Sequence, residues 1–173
     1  VVRAEGLPER VTVYEVGARD GLQNESALVP VEAKAEFVRR LVAAGLPAVE
    51  VTSFVSPRWV PQLADAEELL AELGPLDGVR APVLVPNERG LDRALAAGVR
   101  EIAVFGSATE TFAQRNLNRG LEDQFAMFEP VVARAKAQGL VVRAYVSMCF
   151  GDPWEGDVAI PQVVGVATRL LGM

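Results

Sequence analysis

Five short runs of β-branched residues alternate along the chain with five stretches rich in Ala, Leu and Glu. The runs have strand length, and the stretches between them place apolar residues at helical spacing. The predicted strands are 11–16, 48–53, 80–85, 101–105 and 141–147, and the predicted helices are 31–44, 62–73, 88–97, 121–138 and 161–171. Because parallel strands need a long crossover, usually a helix, this alternation predicts a parallel sheet covered by helices.

Two architectures satisfy this pattern, an open doubly wound sheet and a (β/α)8 TIM barrel. No G-x-G-x-x-G motif or phosphate-binding loop follows the first strand, which argues against a dinucleotide-binding sheet. A barrel commonly takes about 250 residues, so a chain of 173 residues supplies only part of one. We therefore expect residues 1–173 to form a single domain that holds about the first five βα units of a barrel.

The composition excludes several classes of function. The net charge of −6 and the absence of a basic stripe argue against a nucleic-acid partner. No apolar run approaches the roughly 18 residues of a membrane helix, and charge and proline interrupt the N-terminus, so neither a membrane partner nor a signal peptide is expected. A single cysteine, Cys149, excludes an intrachain disulfide and fits a cytoplasmic protein. Since the chain has no histidine, it cannot itself supply a His-based triad or a His general base.

Polar residues mark the carboxyl ends of the predicted strands, where the active site of a barrel lies. Arg19 and Asp20 follow the first strand, Glu50 interrupts the second apolar run, and Arg143 lies in the fifth. A charge inside a barrel needs a partner, because an unpaired buried charge costs several kcal/mol. Glu50 and Arg143 could therefore offset each other, directly or through a ligand.

The alternation of side chains along a strand places these charges among other polar groups. Glu50 and Thr52 share one face of the second strand, while Arg143, Tyr145 and Ser147 share one face of the fifth. Each charge also has a purely structural interpretation, as an exposed ion pair in a turn or a salt bridge to a covering helix. Cys149 is interpreted as a small loop residue, because no histidine can serve it as a base.

Longer stretches resemble a known family. The stretches "VYEVGARDGLQNE", "VEVTSFVSPRWVPQLAD", "PVLVPNERGLDRALAAGVREIAVFGSATETF", "RNLNRGLEDQF" and "VRAYVSMCFGDPWEG" follow the order and spacing of 3-hydroxy-3-methylglutaryl-CoA (HMG-CoA) lyases. The resemblance runs essentially from Val11 to the last residue. Isopropylmalate and homocitrate synthases share the Arg-Asp-Gly element and the barrel, but not the neighbouring residues.

The resemblance implies a TIM-barrel lyase that uses a divalent cation, Mg²⁺ or Mn²⁺. Such an enzyme cleaves the acyl-CoA substrate HMG-CoA to acetyl-CoA and acetoacetate, the last step of leucine degradation. By match, Asp20 is the metal ligand, and Arg19 is both catalytic and substrate-binding. Glu50 is expected to be catalytic, and Gln23, Ser53 and Arg143 to bind substrate. The protein is also expected to form a homo-oligomer.

The sequence contains only some of the catalytic and metal-binding residues that the resemblance implies. A His-x-His pair, an Asn of the metal site and a catalytic Cys on a glycine-rich loop have no counterpart here, and Asp152 stands where the family has Cys in a Gly-Cys-Pro element. We expect the N-terminal part of a normal lyase, inactive by itself and with its fifth strand as an open edge. The alternatives are a half-barrel that pairs with another copy and is not catalytic, and a related aldol or Claisen enzyme acting on another 3-hydroxyacyl thioester.

Overall fold

Strands and helices alternate in the computed structural model, which describes Gly6 and residues 8–173. Residues 1–5 and Leu7, which belong to the predicted domain, lie outside the described residues. The strands are β1 (Tyr14–Glu15), β2 (Ala48–Val49), β3 (Thr52–Ser53), β4 (Val83–Leu84), β5 (Glu101–Ser107), β6 (Val141–Ser147), β7 (Gly151–Asp152) and β8 (Gly156–Asp157). The helices are α1 (Val31–Ala43), α2 (Ala66–Leu73), α3 (Glu88–Ala96), α4 (Glu110–Leu117), α5 (Leu121–Ala137) and α6 (Ile160–Leu171).

Strands β1 to β6 lie side by side in chain order, and their pairings are all parallel. β1 pairs with β2, and a second sheet has the order β3-β4-β5-β6. The two sheets are continuous through the backbone of the second strand, since Glu50 N donates to Glu15 O at 2.8 Å and Val51 N donates to Pro82 O at 3.0 Å. A doubly wound sheet reverses its strand order at a switch point, whereas a barrel does not. The fold is therefore part of a (β/α)8 barrel, as predicted.

Local sequence explains where the helices begin and end. The side chain of Asn87 caps α3 by accepting a hydrogen bond from Gly90 N at 2.9 Å. Gly45, Gly98 and Gly139, which follow α1, α3 and α5, have φ values of 86°, 75° and 76°. Glycine takes this left-handed conformation at no steric cost and so turns the chain back into the next strand.

The structure corrects several of the predicted elements. The stretch 109–120, where no helix is predicted, contains α4, which is followed by Asn118 in the left-handed conformation with φ of 52°. The first and third strands are much shorter than predicted, and the second is split into β2 and β3. In the third run Pro82 lacks an N–H, which limits its pairing. The hairpin formed by β7 and β8 has no counterpart in the predicted elements.

The outer face of the sheet forms the hydrophobic core with the helices. Fully buried side chains from the strands meet those from the helices, among them Val49, Val51, Val83, Ile102, Val38, Leu69, Leu91 and Phe128. The opposite face carries Glu50 and Tyr145, as the alternation of side chains predicts. Polar groups on that face are thereby held against a rigid apolar layer.

One edge of the sheet is open in the described part of the chain. β6 pairs with β5 from Val141 to Ser147, and its other side has no strand partner among the residues that the structure describes. α6 covers the outer side of β6, where Val166 and Leu170 pack with Phe125. Among the described residues, no helix is both long and apolar enough to cross a membrane.

Candidate active site

A buried carboxylate, that of Glu50, is the centre of the candidate site. Glu50 lies between β2 and β3 and is 0% exposed. Its Oε1 accepts a hydrogen bond from Arg19 Nε at 2.5 Å, and its Oε2 accepts one from the Tyr145 hydroxyl at 2.6 Å. Because both oxygens have a donor, the cost of burying the charge is offset. Glu50 thus joins the turn after β1 to strand β6.

Arg19 and Asp20 lie in a π-helical turn, Gly17–Gly21, directly after β1. Such turns are rare and occur frequently at functional sites. Arg19 Nη1 donates to Asp20 Oδ1 at 2.7 Å, and the two side chains are 11% and 54% exposed. Gly17 N donates to Glu15 Oε1 at 2.6 Å, and a Cβ at Gly17 would lie 2.8 Å from the same oxygen, so a larger residue there would displace the Glu15 side chain. The turn holds a nearly buried cation beside an accessible carboxylate.

Tyr145 is the donor that completes the group. Burial raises the pKa of its phenol above the ordinary value, and the hydrogen bond to Glu50 and the charge of that carboxylate raise it further. The positive charges of Arg143 and Arg19 oppose this shift. The hydroxyl is therefore protonated across the neutral range and can donate to Glu50. Sequence reasoning placed Tyr145 on the same strand face as Arg143 but did not include it in the site.

Arg143 does not pair directly with Glu50 in the structure. Its guanidinium carbon lies 4.1 Å from the centroid of the Tyr14 ring and 5.2 Å from that of Tyr145. The two rings meet edge to face with centroids 6.4 Å apart. Direct pairing with Glu50 was one of the two predicted possibilities; in the structure the Arg143 guanidinium lies over the two tyrosine rings instead, and the donors to Glu50 are Arg19 and Tyr145.

A second polar group lies toward the amino ends of the strands. Arg80 donates two hydrogen bonds to Glu101, one of them from Nε to Oε2 at 2.8 Å. The Tyr14 hydroxyl donates to Glu101 Oε1 at 3.3 Å, and burial and the charge of Glu101 raise the Tyr14 pKa. Since active sites of barrels lie at the carboxyl ends of strands, we interpret this group as structural.

Gln23 and Ser53 stand apart from the hydrogen-bonded group. The Ser53 hydroxyl is buried, donating to Leu84 O at 3.3 Å and accepting from Val55 N at 3.2 Å. Gln23 is half-buried in the helical turn after Gly21. Within the described residues, no hydrogen bond joins either side chain to Arg19 or Glu50. Their predicted substrate-binding roles stay predictions.

The described residues provide one position that fits a divalent cation. Asp20 offers a hard carboxylate oxygen on an accessible side chain, the ligand type that Mg²⁺ and Mn²⁺ prefer. Glu50 does not fit, because it is fully buried and both of its oxygens accept hydrogen bonds. Among residues 8–173, no group of three or more Asp, Glu, Cys or His side chains is arranged to hold a metal ion.

The β7–β8 hairpin covers the polar end of β5. Asp152 is 5% exposed, and its Oδ2 accepts a hydrogen bond from Thr109 Oγ1 at 2.5 Å. Its Oδ1 accepts from the backbone N–H of Trp154 at 2.7 Å and of Glu155 at 3.0 Å. Burial favours a higher pKa for this carboxyl, but the three hydrogen bonds outweigh it and hold the pKa below its usual range. Asp152 thus has a structural role.

Cys149 behaves as the sequence predicts for a loop residue. Its Sγ is half-buried and lies 3.1 Å from Val146 O, to which it donates.

Comparison with known proteins places these features in a family context. The HMGL-like family model matches residues 10–167. The chain is 49% identical over 168 residues to the Rattus norvegicus protein named 3-hydroxy-3-methylglutaryl-CoA lyase, cytoplasmic, with 97% of this chain and 49% of that protein covered. It is 46% identical over 167 residues to Rattus norvegicus hydroxymethylglutaryl-CoA lyase, mitochondrial, covering 96% and 51%.

A solved structure is similar over nearly the whole chain. The crystal structure of hydroxymethylglutaryl-CoA lyase from Pseudomonas aeruginosa superposes with a TM-score of 0.92 at 45% identity, over 96% of this chain and 55% of that one. The chain spans about half the length of the curated relatives it matches.

Proposed function

The chain belongs to the HMGL-like family, and from this premise we propose that its protein cleaves HMG-CoA to acetyl-CoA and acetoacetate. The observation that carries the proposal is the chain of contacts Asp20–Arg19–Glu50–Tyr145, which fixes a cation beside an accessible carboxylate at the carboxyl end of β1. The similarity to HMG-CoA lyases over 97% of the chain supports the choice of substrate.

The reaction requires stabilisation of a developing negative charge. Removal of the proton from the C3 hydroxyl lets the C2–C3 bond break, and C3 becomes the ketone of acetoacetate. The electron pair of that bond moves toward the thioester carbonyl to form an enolate, which takes up a proton at C2 to give acetyl-CoA. A positively charged donor fixed beside that oxygen lowers the barrier, because it need not reorganise as the charge appears.

Arg19 is the residue suited to this task. A guanidinium has five N–H donors, and in Arg19 one on Nε is used by Glu50 and one on Nη1 by Asp20. Within the part of the chain that the structure describes, the remaining donors have no hydrogen-bond partner, so they can bind the substrate oxygen. A lysine could not reproduce this, because its ammonium is a point charge without the planar fork. We propose that Arg19 binds substrate and stabilises the enolate.

Glu50 acts, in this proposal, as a positioning residue through Arg19. It is fully buried, and both of its oxygens accept hydrogen bonds within the protein, one of them from Arg19. We propose Asp20 as a ligand of the divalent cation, Mg²⁺ or Mn²⁺. When bound, the cation supplies Lewis acidity toward the substrate hydroxyl and carboxylate oxygens. Gln23, Ser53 and Arg143 are proposed to bind substrate.

Several properties of the whole protein are also proposed. A role in leucine degradation is proposed from the resemblance to HMG-CoA lyases. A cytoplasmic location is supported by the single cysteine and by a relative named as cytoplasmic at 49% identity, although a mitochondrial relative also matches, at 46% identity. Formation of a homo-oligomer stays a prediction.

An assay of the complete gene product that contains this chain tests the proposal. HMG-CoA is supplied with Mg²⁺ or Mn²⁺, and acetyl-CoA and acetoacetate are measured. We expect both products in equal amounts, and their loss on chelation of the metal. The same assay with 3-hydroxybutyryl-CoA is the matched control for substrate choice. Preference for that thioester would favour a related aldol or Claisen enzyme, and no turnover of either would favour a non-catalytic module. The isolated 173-residue chain is expected to be inactive.

A further inference from the structure

A buried lysine, Lys34, forms no hydrogen bond, among the described residues, with any proposed member of the candidate site. It is on the core-facing side of α1 and is 3% exposed. Its Nζ donates to Gln62 O at 2.5 Å and to the two carboxylate oxygens of Asp65 at 2.7 and 2.8 Å. An ammonium has three N–H donors, so all three have a partner. Lys34 holds the segment between β3 and α2 against α1.

Gln62 extends this group to a second loop. It lies in the 3₁₀ turn Pro61–Leu63, and its side-chain Nε2 donates to Glu25 O at 2.9 Å. Glu25 belongs to the segment that leads from the Arg19–Asp20 turn to α1. In the same segment, Asn24 Nδ2 donates to Asp20 O at 2.7 Å. Two hydrogen bonds, through the adjacent residues Glu25 and Asn24, therefore connect Gln62 with the backbone of Asp20, the candidate metal ligand.

The contacts join two loops that carry proposed site residues. Residues 21–30 follow Asp20 and contain Gln23, and residues 54–65 follow Ser53. Most residues of the first loop and half of those of the second are exposed, which permits movement. We propose that Lys34, Gln62 and Asp65, here called the loop clasp, position these two loops for substrate binding. The inference rests on the proposed function and adds three positioning residues to it.

Two features distinguish the loop clasp from a surface ion pair. A buried lysine is costly without partners, whereas exposed pairs contribute little. The Asp65 side chain is 21% exposed, so the pair is shielded from solvent on the lysine side. In addition, the Gln62 side chain bonds to backbone of the other loop, which fixes a distance between loops rather than stabilising one helix.

The test uses Gln62→Ala in the complete gene product, because this variant removes the bond between loops and leaves the buried charge paired. We expect the KM for HMG-CoA to rise about threefold to tenfold, the range of one net hydrogen bond, with kcat changed less than KM. Backbone hydrogen exchange in residues 21–30 should become faster. Gln114→Ala is the matched control, since Gln114 bonds to Asn118 on exposed α4 and should change neither quantity.

Lys34→Met provides a second variant, because Met has a similar length without the ammonium. It should raise KM at least as much as Gln62→Ala and accelerate exchange in residues 54–65. An unchanged KM and unchanged exchange in Gln62→Ala, in a wild-type protein that cleaves HMG-CoA, would overturn this inference alone. A wild-type protein that does not cleave HMG-CoA overturns the proposed function, and substrate positioning with it, whatever the exchange rates show.

Discussion

The Tyr145 hydroxyl donates a hydrogen bond of 2.6 Å to Glu50 Oε2, on the carboxylate whose other oxygen binds Arg19. Strand β6 therefore controls the position of an arginine that follows β1, although the two strands are separated by more than a hundred residues of sequence. The geometry of the candidate site therefore depends on how β1 and β6 are placed relative to each other. It also provides variants that separate positioning from chemistry.

Tyr145→Phe should lower both stability and turnover. Removing the donor leaves one oxygen of a buried carboxylate without a partner, at a cost of about 1–3 kcal/mol, and it frees Glu50 to move away from Arg19. Denaturant unfolding and kcat for HMG-CoA measure the two effects. Tyr14→Phe is the control, because Glu101 keeps both hydrogen bonds from Arg80 in that variant. Equal losses of kcat in the two variants would contradict the assignment.

The pH dependence of Tyr145 follows from its raised pKa. In the unfolded chain the phenol ionises near pH 10, whereas burial and Glu50 raise its pKa in the folded protein. The folded state therefore binds the proton more tightly, so the stability from Tyr145 is fully present below about pH 10 and is lost as the pH rises above it. The difference in tyrosinate absorbance between wild type and Tyr145→Phe, measured as a function of pH, should have its midpoint above pH 10. A midpoint at or below 10 would be inconsistent with a buried donor.

Glu50→Gln separates positioning from acid–base catalysis. The amide oxygen can still accept from Arg19, but the negative charge that holds the guanidinium is lost. We expect kcat to fall about 10- to 100-fold, the range for a hydrogen bond to a charged group, with the shape of the pH–rate profile unchanged. Glu101→Gln, a buried strand carboxylate at the other end of the sheet, is the control. Loss of the acidic limb of the profile would instead make Glu50 a general base.

Asp152→Asn should loosen the β7–β8 hairpin. The lowered pKa of Asp152 means that the charged form stabilises the folded hairpin, an effect present above the ordinary Asp pKa of about 3.9 and lost as the pH falls further. Hydrogen exchange of residues 148–158 at neutral pH should accelerate in Asp152→Asn and not in Asp157→Asn, which changes an exposed residue of the same hairpin. Equal exchange in both variants would refute the structural role.

The repeating strand and helix pattern predicts the barrel segment, because each βα unit forms from local periodicity. Arg19, Asp20 and Glu50 are predictable as candidates, since charges at strand ends are conspicuous against apolar runs. The sequence does not predict which residue of β6 binds Glu50. Arg143 and Tyr145 share one face of that strand, and the tilt between strands decides which of the two reaches the carboxylate. The burial of Lys34 could have been predicted from its position four residues before Val38, on the apolar stripe of α1.

Helix α4 is an element that the sequence pattern did not predict. Five of its eight residues are polar, and Ala113 is its one buried residue. Hydrophobic periodicity therefore gives little indication of a helix there.

The most direct test is the rate of acetyl-CoA formation from HMG-CoA by Arg19→Lys in the complete gene product. Arg39→Lys is the matched control, because Arg39 is an exposed arginine of α1 that pairs with Glu72. We predict a loss of kcat of about 10²–10³-fold for Arg19→Lys, the scale for removing an oxyanion donor, and turnover near that of wild type for Arg39→Lys. Full turnover by Arg19→Lys would contradict the role of Arg19 in stabilising the enolate.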